Sequence, residues 1–126
     1  MNFLLKRGEI QPGSEIFGKA FEHFIYQEIA AYSHYSRLHF PLAYWRTSSQ
    51  LEIDFVLGDH EVAVEVKSSK MALDRHFKGL RAFKEEYRPK RSILVSFDSA
   101  ARVADGVEVL PWKIFLEKLW AGGIIS

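Results

Sequence analysis

The chain of 126 residues is long enough for one compact domain and short for two. A hydrophobic share of 48%, with 14% aromatic residues, supplies a core and excludes a disordered polymer. With no cysteine, disulfides and thiolate metal sites are excluded, and a net charge of +1 hides a local asymmetry: −4 over residues 1–66, +6 over 67–91 and −1 over 92–126.

No apolar run approaches the ~20 residues that span a bilayer, so no membrane association is expected. Phe3-Leu4-Leu5 followed by Lys6 and Arg7 has the wrong charge order for a signal peptide, and a cytoplasmic location is the simplest expectation. Residues 1–13 read as a lead-in or linker closing on Gln11-Pro12-Gly13, and residues 14–126 as one domain. Ser14 is placed to cap a helix over 15–35, whose apolar stripe is expected to hold Phe17, Ala20, Phe21, Phe24, Ala31, Tyr32 and Tyr35. Glu28 falls near the centre of that stripe, where a carboxylate needs a partner such as Arg46 or a share in a site. Glu22 lies beyond its edge with Gly18 and Ile29. Gly13 to Ala20 nearly spells a phosphate-binding loop, but Ala20 lacks the metal-binding hydroxyl and no buried strand precedes Gly13.

Pro41 opens a strand over 42–47, and Thr47-Ser48-Ser49-Gln50 is turn-like. Residues 51–57 alternate, with Leu51, Ile53, Phe55 and Leu57 expected on one face and Glu52, Asp54 and Val56 on the other. Gly58-Asp59 suits a two-residue hairpin turn, after which 61–67 alternates again. A helix over 73–87 is stopped by Pro89. Strands at 93–97 and 107–110 follow, then a helix from Pro111 to Gly122-Gly123. The expected order is α-β-β-β-α-β-β-α, an α/β fold with a mixed sheet flanked by helices.

The chemistry gathers on the 51–67 hairpin. A two-residue turn pairs Leu57 with His60, puts Ala63 opposite Asp54 and makes Glu65 the diagonal neighbour of Asp54. Lys67 emerges on the face of Glu65. Two carboxylates this close repel unless a cation joins them, and a hard Mg²⁺ or Mn²⁺ prefers such oxygen ligands. A lysine beside them suits phosphodiester hydrolysis, by orienting water or stabilising charge on the phosphate. A plain hairpin with a charged, solvated face has the same pattern. The basic stretch that follows suits a polyanion, although on charge alone a solvated helix face is the simpler reading.

Ile53-Asp54, ten residues, then Glu65-Val66-Lys67 resembles the signature of the PD-(D/E)XK nuclease superfamily, with Ile53 standing where the named motif has proline. Gly18-Lys19-Ala20-Phe21-Glu22, Tyr44-Trp45-Arg46-Thr47, residues 52–57 and residues 63–69 resemble something narrower. They are similar to the uncharacterised domain C-terminal to the ATPase module of many bacterial and archaeal AAA-type ATPases. The resemblance runs from about Phe17 to Leu119. It implies a restriction-endonuclease-like α-β-β-β-α-β core, with Asp54 and Glu65 as metal ligands and the Val66 carbonyl as a third. It also implies Lys67 as catalytic lysine and Glu22 as the acidic residue of the first helix, with Mg²⁺ or Mn²⁺ as cofactor.

The function expected is a metal-dependent nuclease. Its rivals are a non-catalytic nuclease-fold module, DNA-binding or regulatory, and a protein-interaction domain. Nucleic acid is the expected partner, an AAA-type ATPase module the partner in relatives, and a homodimer is left open. Arg46, Ser68, Lys70, Lys78 and Arg81 are candidate phosphate contacts; Arg46 could instead pair with an acid, and Ser68 and Ser69 equally suit a turn. The five histidines show no zinc-ligand spacing, and Trp45, Trp112 and Trp120 read as core anchors.

Overall fold

Alternating hydrophobicity in the middle of the chain and helical periodicity at both ends produce a three-layer α/β sandwich. The structure is a computed structural model that describes residues 15–46, 51–68 and 74–125. The expected lead-in at 1–13, the Ser14 cap, the 47–50 turn, Ser69 and Lys70 lie outside the described residues. Along the chain run α1 (Glu15–Tyr35), β1 (Leu42–Arg46), β2 (Glu52–Leu57), β3 (Val62–Val66), α2 (Lys78–Tyr87, after one 3-10 turn), β4 (Arg91–Ser96), β5 (Arg102–Ala104), β6 (Val107–Pro111) and α3 (Trp112–Trp120).

The six strands form one mixed sheet in the order β1-β2-β3-β4-β6-β5. β1, β2 and β3 meander antiparallel, whereas β4 runs parallel to both β3 and β6. A parallel neighbour requires a crossover, and α2 supplies it between β3 and β4. β3 and β4 are buried on both faces, as strands covered by helices on each side must be. α1 and α3 pack one face through Phe17, Phe21, Ile25, Ile29, Phe115 and Leu119 against Phe55, Leu57, Val64, Ile93 and Val95. α2 covers the other through Phe77, Leu80 and Phe83, against Ile53, Val56, Ala63, Leu94 and Val109.

The expected order lacks one strand. β5 is the extra one, and it pairs with β6 across Asp105-Gly106, both with positive φ (57° and 75°). Asp-Gly is the dipeptide that such a tight turn favours, so the signal was present in the sequence. On α1 the buried stripe is rotated from the expected one. Ile25 and Ile29 are fully buried, while Ala31 and Tyr35 are exposed. The rotation turns Gly18 and Glu22 toward the sheet and carries Glu28 to the margin, where it accepts a hydrogen bond from Trp120 Nε1 at 3.1 Å. Glu28 therefore pairs with neither Arg46 nor the carboxylates of the hairpin. Trp45 and Trp112 pack on the two cores as expected, and Trp120 is 40% exposed, edge-on to Tyr32 and Tyr35.

The chain end is fixed by hydrogen bonding. Gly122 (φ 78°) donates to the Leu119 carbonyl and Gly123 to that of Lys118, closing α3 in a Schellman turn. Ile124 and Ile125 then enter the core, and Tyr32 Oη donates to the Ile125 carbonyl at 2.9 Å. Among the described residues, no helix is long and apolar enough to cross a membrane.

Candidate metal centre

The turn between β2 and β3 sets the site's register. It spans four residues, Gly58 to Glu61, not two, with positive φ at Gly58 and His60. Leu57 pairs with Val62, Val56 with Ala63 and Phe55 with Val64. The β2–β3 backbone pairing runs only as far as Phe55–Val64. The turn is of even length, as a two-residue turn is, but Val56 and not Asp54 stands across from Ala63.

A second departure positions Asp54. Between the pairs Ala43–Val56 and Trp45–Ile53, β1 advances two residues and β2 three. The extra residue is a β-bulge at Asp54-Phe55, and it breaks the expected strict alternation. Phe55 and Leu57 join the core under α1, whereas Ile53 joins the opposite core under α2. Unbulged, Asp54 would share the α2 face with Val56. The bulge instead brings it within hydrogen-bonding reach of Glu22 on α1.

Carboxylates take over the β2–β3 ladder where its backbone pairing ends. Val66 N–H donates to Asp54 Oδ2 at 2.8 Å, and Asp54 N–H donates to Glu65 Oε1 at 3.1 Å. Glu65 is only 6% exposed, and Lys67 Nζ lies 3.8 Å from its Oε2. Burial first, then the hydrogen bond and negative charge of Asp54, raise the Glu65 carboxyl to about 9, against the pull of Lys67. Burial and Asp54 likewise raise Glu22 to about 7. Both shifts favour the protonated form, more strongly at buried Glu65 than at Glu22. Among the described residues, no three acidic or histidine side chains stand ready as a metal-ligand set. Backbone N–H groups engage both carboxylates: Val66 N–H on Asp54 and Asp54 N–H on Glu65.

Alongside the cluster runs a groove of about 300 Å³ lined by Lys19, Glu22, His23, Tyr26 and Phe55. No such role was expected from the sequence for Lys19, His23, Tyr26 or Phe55; the i, i+4, i+7 spacing of Lys19, His23 and Tyr26 on α1 was the available signal.

The structure thus brings Glu22, Asp54, Glu65, Val66 and Lys67 together from α1, β2 and β3. The expected phosphate contacts are more dispersed. Half-buried Ser68 sits against Gly18 of α1, where a Cβ would stand 3.4 Å from its Oγ. Lys78 is exposed at the start of α2. Its neighbour Gly79 packs so closely on β2 that a Cβ would lie 2.3 Å from the Glu52 carbonyl. Arg46 pairs with Glu52 at 3.5 Å and donates to Tyr44 Oη at 2.9 Å. Arg81 binds Asp105 at 2.6 Å and 2.7 Å, tying α2 to the β5–β6 turn. Both arginines are thus engaged by acids.

Residues 17–115 match a protein family described as a domain of unknown function, DUF4143. The chain belongs to the DUF4143 family. This is a domain found in AAA-ATPase-associated proteins, and the match covers the whole span from α1 into α3. No curated protein and no solved structure matches the chain. Membership in DUF4143 carries no activity with it, so the chemistry rests on the residues themselves.

Proposed function

We propose that this DUF4143 domain is a divalent-metal-dependent phosphodiester hydrolase of the PD-(D/E)XK kind, acting on nucleic acid. The observation that carries the reading is the convergence of Glu22, Asp54, Glu65 and Lys67 around one buried carboxyl. The α-β-β-β-α-β run and the side-by-side placement of Asp54 and Glu65 support it.

Asp54, Glu65 and the Val66 carbonyl would hold Mg²⁺ or Mn²⁺, an all-oxygen donor set that suits a hard cation. Such an ion supplies Lewis acidity and lowers the pKa of a bound water. Lys67, beside Glu65, is placed to orient that water and to stabilise charge on the phosphate. Glu22, raised to about 7, can take up or release a proton at neutral pH through its hydrogen bond to Asp54. Lys78, exposed at the start of α2, would contact the approaching strand. An AAA-type ATPase module is the partner proposed for the family.

One observation favours a second reading, a nuclease-fold module that binds nucleic acid without cutting it: the cluster rests in a hydrogen-bonded form with Asp54 Oδ2 engaged by Val66 N–H. The test is Mn²⁺ titration of the protein and of Asp54→Ala, followed by cleavage of single-stranded, duplex and branched DNA with Lys67→Ala as control. Hydrolysis predicts Mn²⁺ uptake lost in Asp54→Ala and cutting lost in Lys67→Ala. An absence of Mn²⁺ binding at millimolar concentration refutes it. Salt-sensitive binding without cutting establishes the second reading.

A further inference from the structure

We propose that the groove beside the carboxylates is a nucleotide subsite, in which Tyr26 stacks on one unpaired base next to the reacting phosphate. The inference rests on the hydrolase reading for the phosphate and adds the substrate class: a strand with at least one unstacked nucleotide.

Three observations place the site. The groove opens directly on the cluster, because Glu22 lines both. Its volume of about 300 Å³ is at the small end of ligand pockets, which suits one nucleotide and not a duplex. Its walls combine rings with a cation. Tyr26 is 44% exposed, 5.9 Å from the Phe55 ring and 6.3 Å from the near-parallel His23 ring.

The chain geometry explains the grouping. Lys19, Glu22, His23 and Tyr26 form a single ridge of α1, with Tyr26 about 6 Å beyond Glu22 along the axis. Phe55 is 7% exposed and forms the floor. It faces α1 with Leu57, and the bulge brings Asp54 within reach of that same face. The phosphate would thus lie at the cluster end of the ridge, where the proposed cation would hold it, and the rings of Tyr26 and Phe55 meet the base at the other. Tyr26 has a sequence-tolerant π-face, so preference for a particular base is not expected.

The experiment compares wild type, Tyr26→Ala and Tyr26→Phe for binding of a labelled oligothymidine strand, an abasic strand of equal length and a duplex, in EDTA so that nothing is cut. Because the abasic strand carries the same charge, it separates stacking from phosphate attraction. Wild type should prefer the thymidine strand to the abasic one. Tyr26→Ala should lose roughly tenfold in affinity for the thymidine strand, falling to the abasic level, with duplex binding changed less than about twofold. Tyr26→Phe should retain the preference, and thermal melting checks that both variants fold. The proposal is overturned if wild type does not distinguish the two strands, or binds neither, or if Tyr26→Ala keeps the preference. Mn²⁺ binding separates the two readings. Uptake without base-dependent binding removes only the subsite, and base-dependent binding without uptake removes only the hydrolase.

Discussion

Glu65 makes the domain's stability fall as the solution becomes alkaline. Its carboxyl titrates at about 9 in the folded protein, against an ordinary value of 4.5. A folded-state pKa raised above the unfolded one means that the folded chain holds the extra proton between those values. The associated stability is complete below the ordinary carboxylate range and is lost as pH rises toward 9. The slope is about 1.4 kcal/mol per pH unit for one proton, so roughly 3–4 kcal/mol disappears between pH 6 and 9. For a domain of this size that corresponds to a drop of about 10 °C in Tm. Glu22 adds a smaller fall of the same sign below about pH 7, since it is half exposed. Glu65→Gln preserves the shape, can still accept from Asp54 N–H and can donate to the Asp54 carboxylate, but it does not titrate. Melting both proteins by scanning calorimetry from pH 6 to 9.5 should give a wild-type curve that falls and a variant curve that stays nearly flat. Parallel curves would show that Glu65 is already ionised at neutral pH, and the account of a protonated cluster would be wrong.

If Mn²⁺ replaces those protons, its uptake at pH 7 releases more than one proton per ion, and affinity rises with pH until about 9. Calorimetry in two buffers of different ionisation enthalpy reads the release, and equal heats would exclude it. Gly79→Ala should destabilise by about 2 kcal/mol, although alanine ordinarily stabilises a helix, because the new Cβ meets the Glu52 carbonyl at 2.3 Å. A neutral urea midpoint would show that α2 can back away from β2. The half-buried Arg91–Glu108 pair, at 2.7 Å and 2.8 Å, should make Arg91→Met cost about 2 kcal/mol, and Arg91→Met with Glu108→Met should recover much of the loss. A double variant no more stable than the single one would contradict this.

Much of the fold was legible because its signals are local. The helix over 15–35, the strands around 42–66, the stop at Pro89 and the Gly122-Gly123 cap depend on residues a few positions apart. Asp54, Glu65 and Lys67 could be brought together because both strands of the hairpin are legible, although the contact is made through the bulge and not through the expected alternation. What could not be read depended on packing. The two stripes possible on α1 differ by a modest rotation, and only the sheet decides that Ile25 and Ile29, not Ala31 and Tyr35, face inward. The bulge at Asp54-Phe55 leaves no mark in residues that alternate perfectly; it follows from pairing with β1. The Asp105-Gly106 hairpin was readable, but a three-residue edge strand with exposed Arg102 and Val103 has almost no hydrophobic pattern to announce it.

The charge of the cluster bears on which ion it would accept. Fully ionised, Glu22, Asp54, Glu65 and Lys67 sum to −2, in a place where Glu65 is almost sealed from water. Such a state is costly. The protein alone relieves it by favouring protonation, at Glu65 above all, a solution that disappears as pH rises. One divalent cation brings the same four side chains to zero without protons, whereas a monovalent ion leaves a residual charge and a trivalent ion overshoots. A hairpin that merely displayed a solvated charged face would have no reason to bury Glu65, nor to bulge β2 so that Asp54 meets a carboxylate from the opposite layer. Both features remove favourable hydration and a regular ladder, and both become sensible when the carboxylates have a cation in common.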